Sequence, residues 1–245
     1  MRVARKRSRT LRHPLCSALF AASLGATVLP GQAAKLGGAY FIDDSEIGSL
    51  YSCEIENWAS FAANRDRVFV FSPACVFNLG RPTELGVTAV RTRSSGEWGT
   101  VLSATAKTEI AKQQGSAPAI GIAGAVAYNA LTGRLDSVIL NVPFTWDLSK
   151  TLRFNINAGS IYDASEHHLL ATGGAGLSWN FVPNWSVIGE MFAIVGPAQT
   201  NPRWQSGIRY NPSKDVDCDV IYGRNITGER SHWITLALTV RLWDK

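Results

Sequence analysis

Apolar and polar residues alternate one for one along most of this chain. In 138–146, Val138, Leu140, Val142, Phe144 and Trp146 alternate with Ile139, Asn141, Pro143 and Thr145. In 152–158, Leu152, Phe154, Ile156 and Ala158 alternate with Arg153, Asn155 and Asn157. The same pattern sets Leu169, Ala171, Ala175, Leu177, Trp179 and Phe181 against Thr172, Gly174, Gly176, Ser178 and Asn180, and Ile234, Leu236, Leu238, Val240 and Leu242 against Thr235, Ala237, Thr239 and Arg241. A period of two sends successive side chains to opposite faces of a β-strand. Candidate strands lie at 53–63, 66–72, 83–93, 97–109, 118–131, 135–147, 150–161, 167–181, 184–197, 202–212, 215–225 and 230–243. Separators such as ANRD, TGRLD, DLSKT, VPNW and NPSKD supply the Gly, Asn, Asp, Ser and Pro of hairpin turns.

Alternation alone also fits a soluble sandwich. Three features choose against it. Many of the runs are 11–15 residues long, where soluble strands have a mode near five or six and a tilted membrane strand needs about 9–11. The second row carries Gly, Ala, Asn, Ser and Thr, which suit a wet or lightly filled interior. Trp98, Trp146, Trp179, Trp185, Trp204, Trp233 and Trp243 all stand near run ends, where amphipathic rings form girdles at membrane interfaces. The sequence therefore predicts an all-β chain, a closed antiparallel up-and-down transmembrane barrel of about 12 strands (range 10–14), occupying 53–245. Its apolar row faces lipid and its polar row faces the lumen. An even strand number puts both barrel termini on the periplasmic side, with short turns at LSKT, VPNW and PSKD and the outer connections at RTRSSGEWG, YDASEHH, VGPAQTNP and NITGER.

The first 34 residues read as an export signal. Met1 to Pro14 holds six basic residues and no acid, LCSALFAASLGATVL follows, and small residues close the segment. The apolar run is too short for a spanning helix, and the basic stretch has no twin arginine, so general export to the bacterial outer membrane is expected. The whole chain has 24 basic and 19 acidic residues. Removing the leader leaves 18 against 19, so the sequence pI of 9.2 gives no basis for nucleic-acid binding. Cys53, Cys75 and Cys218 remain in the mature part. In an oxidising compartment a Cys53–Cys75 bridge would clip the first hairpin. Residues 35–52, which include Tyr40, Phe41 and Ile42, are expected either to hang in the periplasm or to enter the lumen as a partial plug.

From 185 to 242 the chain reads WSVIGEMFAIVGPAQTNPRWQSGIRYNPSKDVDCDVIYGRNITGERSHWITLALTVRL. The Gly189–Glu190 pair, the G-x-R-Y-x-P run from Gly207 to Pro212, the acidic alternating strand, Tyr222 to Asn225, and the final W-I-T and L-T-V-R resemble the proteobacterial phenol-degradation meta-pathway transporter-like family. The resemblance covers the last quarter and implies an outer-membrane barrel of transporter type. Such barrels usually end on an aromatic residue that the barrel-assembly machinery reads. Here Leu242 holds that place, with Trp243 beyond it.

Glu190, Arg209, Asp215, Asp217, Asp219 and Arg241 share lumen parity on neighbouring runs. They form either a self-satisfying charge ladder or a selectivity ring. Adjacent His167 and His168 would diverge on a strand and belong in a loop. Ser231 and His232 likewise face apart, with nothing placed to orient the imidazole, so neither catalysis nor a metal or other cofactor is expected. The leading expectation is a passive channel or transporter-like protein for small molecules. The alternatives are a non-conducting structural or surface-interaction barrel, whose Arg91, Arg93 and Arg224 meet lipid or lipopolysaccharide phosphates, and a barrel-embedded lipid hydrolase.

Overall fold

The computed structural model describes residues 38–196, 200–227 and 231–243. Residues 1–34, read above as the export signal, lie outside them. Twelve antiparallel strands follow in chain order: β1 (Cys53–Ala62), β2 (Arg67–Asn78), β3 (Pro82–Ser94), β4 (Glu97–Ala111), β5 (Ala119–Asn129), β6 (Leu135–Asp147), β7 (Leu152–Asp163), β8 (His168–Val182), β9 (Trp185–Val195), β10 (Thr200–Ser213), β11 (Val216–Asn225) and β12 (His232–Leu242). Each pairs with its sequence neighbours, and the sheet closes where β1 meets β12, from Cys53 opposite Leu242 to Ala62 opposite Trp233. Closure leaves no unpaired sheet edge, which is the condition hydrocarbon imposes on backbone N–H and C=O groups.

The two rows separate as the period of two requires, but inside out relative to a soluble sheet. Met191, Val220 and Leu236 are 62%, 57% and 50% exposed on the outer wall, whereas Asn155, Ser178 and Asp217 are 0%, 0% and 3% exposed within it. An apolar exterior of this extent fits contact with lipid. Ring contacts mark two aromatic belts on that exterior. Phe69 stacks on Trp98 and Trp204 packs against Tyr222 near one end, while Trp146 packs between Phe144 and Phe154, and Trp185 against Tyr210, near the end that holds both barrel termini.

Two features differ from expectation. β2 runs on to Asn78 instead of stopping at 72, so Cys75 belongs to a strand and not to a connection. The cause is Pro73, which ends the apparent run in sequence because it offers no N–H. The barrel accommodates it: β2 stays in register with β1 at Ile55 opposite Pro73, and the ladder to β3 lapses between Phe71 and Ala74. Connections are also short at both ends. Ser95 and Gly96 alone join β3 to β4, both with positive φ (51° and 92°), as a two-residue hairpin turn of the primed type demands. The longest described connection, 112–118, lies at the terminal end.

The interior receives the segment before β1. Tyr40 and Ile42 are buried, and Tyr40 packs with Ile188 and Ile221 into the small apolar core of the lumen. Phe41 stacks on Phe192 with ring centroids 4.2 Å apart. Gly174 on β8 makes room for this, since a side chain there would meet Ile42 Cδ1.

Candidate functional site

Polar side chains of the wall hold the inserted segment by its backbone. Glu190 Oε1 and Oε2 accept the N–H groups of Phe41 (2.7 Å) and Ile42 (3.0 Å), and Gln205 Nε2 donates to Glu190 Oε1 (2.8 Å) and to the Ala39 carbonyl (3.3 Å). Ser45 N donates to Thr145 Oγ1 at 2.9 Å. Asn157, with its amide turned to suit its neighbours, donates to the Asp43 carbonyl (2.8 Å) and accepts from the Asp43 N–H (3.1 Å). Irregular backbone inside a membrane barrel needs such partners, because an unpaired N–H there costs several kcal/mol, on the order of a full desolvation penalty.

The segment's acids fasten it further. Lys107 Nζ lies 2.8 Å from Asp43 Oδ1 and 3.5 Å from Asp44 Oδ1. Arg153 reaches Glu46 (2.7 Å), Asp147 (2.7 Å) and Asp44 (3.6 Å). Burial is the main reason the Asp43 carboxyl is pushed up to about 6; Lys107 acts in the opposite sense and Asp44 adds to the rise.

Most of the sequence-predicted cluster comes together beneath Tyr40. Arg209 on β10 grips Asp219 on β11 through Nε (2.8 Å) and Nη2 (3.2 Å), and its Nη1 lies 3.5 Å from Asp217. Arg241 on β12 grips Asp217 through Nη2 (2.6 Å) and Nη1 (3.1 Å). Asn211 Nδ2 also donates to Asp217. The Tyr40 hydroxyl donates to Asp219 at 3.5 Å, and the Arg209 guanidinium lies 5.6 Å from the Tyr40 ring. These charges compensate one another, and Tyr40 of the inserted segment lies against Arg209 and Asp219. Glu190, the sixth member, is spent on the segment's backbone instead.

Asp215 does not belong with them. It stands with Lys214 in the turn between β10 and β11, where its carbonyl accepts the Arg241 N–H at 2.7 Å. The ladder shifts between Tyr210 and Ser213, and the two-residue turn then takes Lys214 and Asp215 before pairing resumes at Val216. Trp233 is a second correction. It pairs with Gly223 on the inner row, where its indole covers that glycine and donates to Gln205 Oε1 (3.3 Å); it is a lumen residue and not an interface residue. Trp98, Trp179 and Trp243 are exposed on the exterior. Cys53 and Cys75, opposite each other in register, are joined as a disulfide, and Cys218 lies outside it on the outer row. His167 occupies the turn before β8, and His232 packs against Tyr222.

Beside the inserted segment a cavity of about 210 Å³ remains along β1–β6. Its charged lining is Asp43, Glu54, Glu56, Glu84 and Lys107, set among Ser72, Thr105 and small alanines. A second cavity of about 300 Å³ opens toward the terminal end beside Glu46, Glu109 and Asp147. Glu54 is 3.8 Å from Arg241, and Lys107 is committed to Asp43 and Asp44, so the cavity wall holds more acidic side chains than basic ones. Sequence reading missed this wall. Glu54-Ile55-Glu56 carries the same acid–apolar–acid signature as Asp217-Cys218-Asp219 and was the available signal.

The family described as uncharacterised conserved protein UCP029691 matches residues 24–242. The chain belongs to that family. No curated protein matches it. Among solved structures, this UCP029691 member is similar to the COG4313 outer membrane channel from Pseudomonas putida F1 (TM-score 0.61, 11% identity, covering 81% of this chain and 98% of that one). It is also similar to the NanC porin (0.59, 8%, 77% and 100%) and to the KdgM porin in complex with disordered oligogalacturonate (0.58, 10%, 76% and 98%). At these identities the likeness is one of fold: the UCP029691 chain has the closed barrel of outer-membrane porins.

Proposed function

We propose that the protein is a narrow outer-membrane channel for small solutes, exported by way of residues 1–34, partly plugged by the segment from 35 to 52, and favouring cations. The observation that carries this reading is the open, acid-lined cavity beside the inserted segment. Carboxylate rings select cations by simple Coulomb attraction, which is strong in a confined lumen. The likeness to porins supports the channel class, and the C-terminal motifs Gly207 to Pro212 and Tyr222 to Asn225 support kinship with the transporter-like family named above. The oligogalacturonate of the KdgM structure is a chain of carboxylates, which Glu54, Glu56 and Glu84 would repel here.

The test is reconstitution of the mature chain in a planar bilayer under a salt gradient. The reversal potential is expected to report cation preference, and Glu56→Gln with Glu84→Gln is expected to cut that preference several-fold. Deleting 35–52 is expected to raise conductance. A barrel that neither conducts nor swells liposomes, with or without 35–52, would overturn the proposal. The filling of the lumen along β9–β12 favours one second reading, a closed structural barrel, and the same liposome assay separates the two.

A further inference from the structure

We infer that Arg67, Arg91 and Arg93 form a binding surface for phosphate groups of a lipid in the surrounding leaflet. All three lie on the outer row of β2 and β3 at the end remote from the barrel termini. Arg67 is directly opposite Arg93, and Arg91 is directly opposite Phe69. Two like charges face to face across a ladder repel one another. Among the described residues none of the three has a carboxylate within ion-pair distance. Their donors are turned only partly to the protein: Arg67 Nη1 donates to the Ala62 and Asp66 carbonyls, Arg91 Nη1 to Thr100 Oγ1, and Arg93 Nε to the Gly96 carbonyl. The remaining N–H groups of each guanidinium are unspent, and an anion between the strands would relieve the repulsion.

The surroundings say at what height that anion sits. Phe61, Phe69 and Trp98 form a row of rings in mutual contact, with the Arg67 guanidinium 5.5 Å from the Phe61 ring and that of Arg91 5.1 Å from the Trp98 ring. Such rings settle at the headgroup level of a bilayer, where lipid phosphates lie. Below them on β2, β3 and β4, Phe71, Val87 and Leu102 are 50%, 60% and 49% exposed and continue as an apolar surface fit for an acyl chain. The site thus joins a phosphate-binding head to a hydrocarbon-binding stem, which selects a phosphorylated lipid over free phosphate. Residue type agrees: the planar guanidinium fork matches phosphate oxygens in pairs.

The inference rests on the reading that the outer wall meets lipid. To test it, the mature barrel is purified in detergent and offered lipid A, enzymatically dephosphorylated lipid A, or inorganic phosphate, and retained ligand is read by native mass spectrometry. Lipid A is expected to be retained, the dephosphorylated form lost, and inorganic phosphate unable to displace lipid A at millimolar concentration. The R67Q/R91Q/R93Q variant is expected to retain it at least about tenfold less, the equivalent of losing one charge-assisted contact. Barrel closure is verified by heat-modifiable gel mobility. If the triple variant does not close, R91Q alone serves, with partial loss expected. Full retention by the closed variant, equal retention of the dephosphorylated form, or displacement by inorganic phosphate would each overturn the inference. A chain that stays folded and dissolved without detergent would instead defeat the membrane reading beneath it.

Discussion

The Glu190 carboxylate on β9 accepts the backbone N–H of Phe41 at 2.7 Å, across 149 positions of sequence. With its second oxygen on Ile42, this one side chain satisfies two consecutive buried donors that would be costly if left unpaired. Glu190→Ala is expected to strand both N–H groups and to weaken seating of the segment by roughly 2–3 kcal/mol, as loss of charged hydrogen bonds does. Single-channel recording should show more frequent or larger openings, and protease should reach 38–50 more readily. Glu190→Gln, which keeps one acceptor oxygen, should lie between the two.

Seating should also respond to pH through Asp43. Its carboxyl is pushed up to about 6 where it sits, while in water it titrates near about 4. The seated segment therefore binds the proton more tightly than the released one. Seating strengthens as pH falls through about 6, and that added strength is absent at higher pH. Lys107 from β4, Glu56 and Glu84 from β1 and β3, and Asp44 beside it all face this group. Conductance at pH 5 is expected to be lower than at pH 7.5, and Asp43→Asn to reduce the difference.

Arg209→Ala should destabilise the barrel itself by roughly 3–5 kcal/mol, since it leaves Asp219 charged and buried. The urea midpoint in detergent measures this. Neutralising Asp217 and Asp219 together with Arg209 and Arg241 is expected to leave ion preference unchanged, because the four charges compensate one another.

Cys53 and Cys75 are 22 positions apart. A bridge closing a loop of that size stabilises by about 3 kcal/mol through the unfolded chain. Reduction, or Cys53→Ser with Cys75→Ser, is expected to lower the thermal midpoint while leaving conductance intact.

The barrel was legible because its period of two persists over strands too long for a soluble sheet, and eleven of the twelve strands ended within a few residues of where turn chemistry placed them. The full length of β2 is hidden in the sequence because Pro73 reads as a strand stop, whereas β1 continues to pair across it at Ile55. Asp215 was misplaced because strict alternation continued into a turn. Trp233 could have been placed correctly: with Ile234 and Leu236 facing out, parity alone sends it in. The acid wall was harder, since Glu54, Glu56 and Glu84 come from two strands, and their facing a common void depends on where the N-terminal segment lies.

The two-residue link at Ser95 and Gly96 has a consequence for how solutes arrive. The fully described outer connections, 63–66, 95–96, 130–134 and 164–167, are all brief, so none of these four folds over the mouth. In the channel proposed above, discrimination along that part of the rim would fall to the interior, where a threaded strip of the chain's own backbone lies beside the cavity.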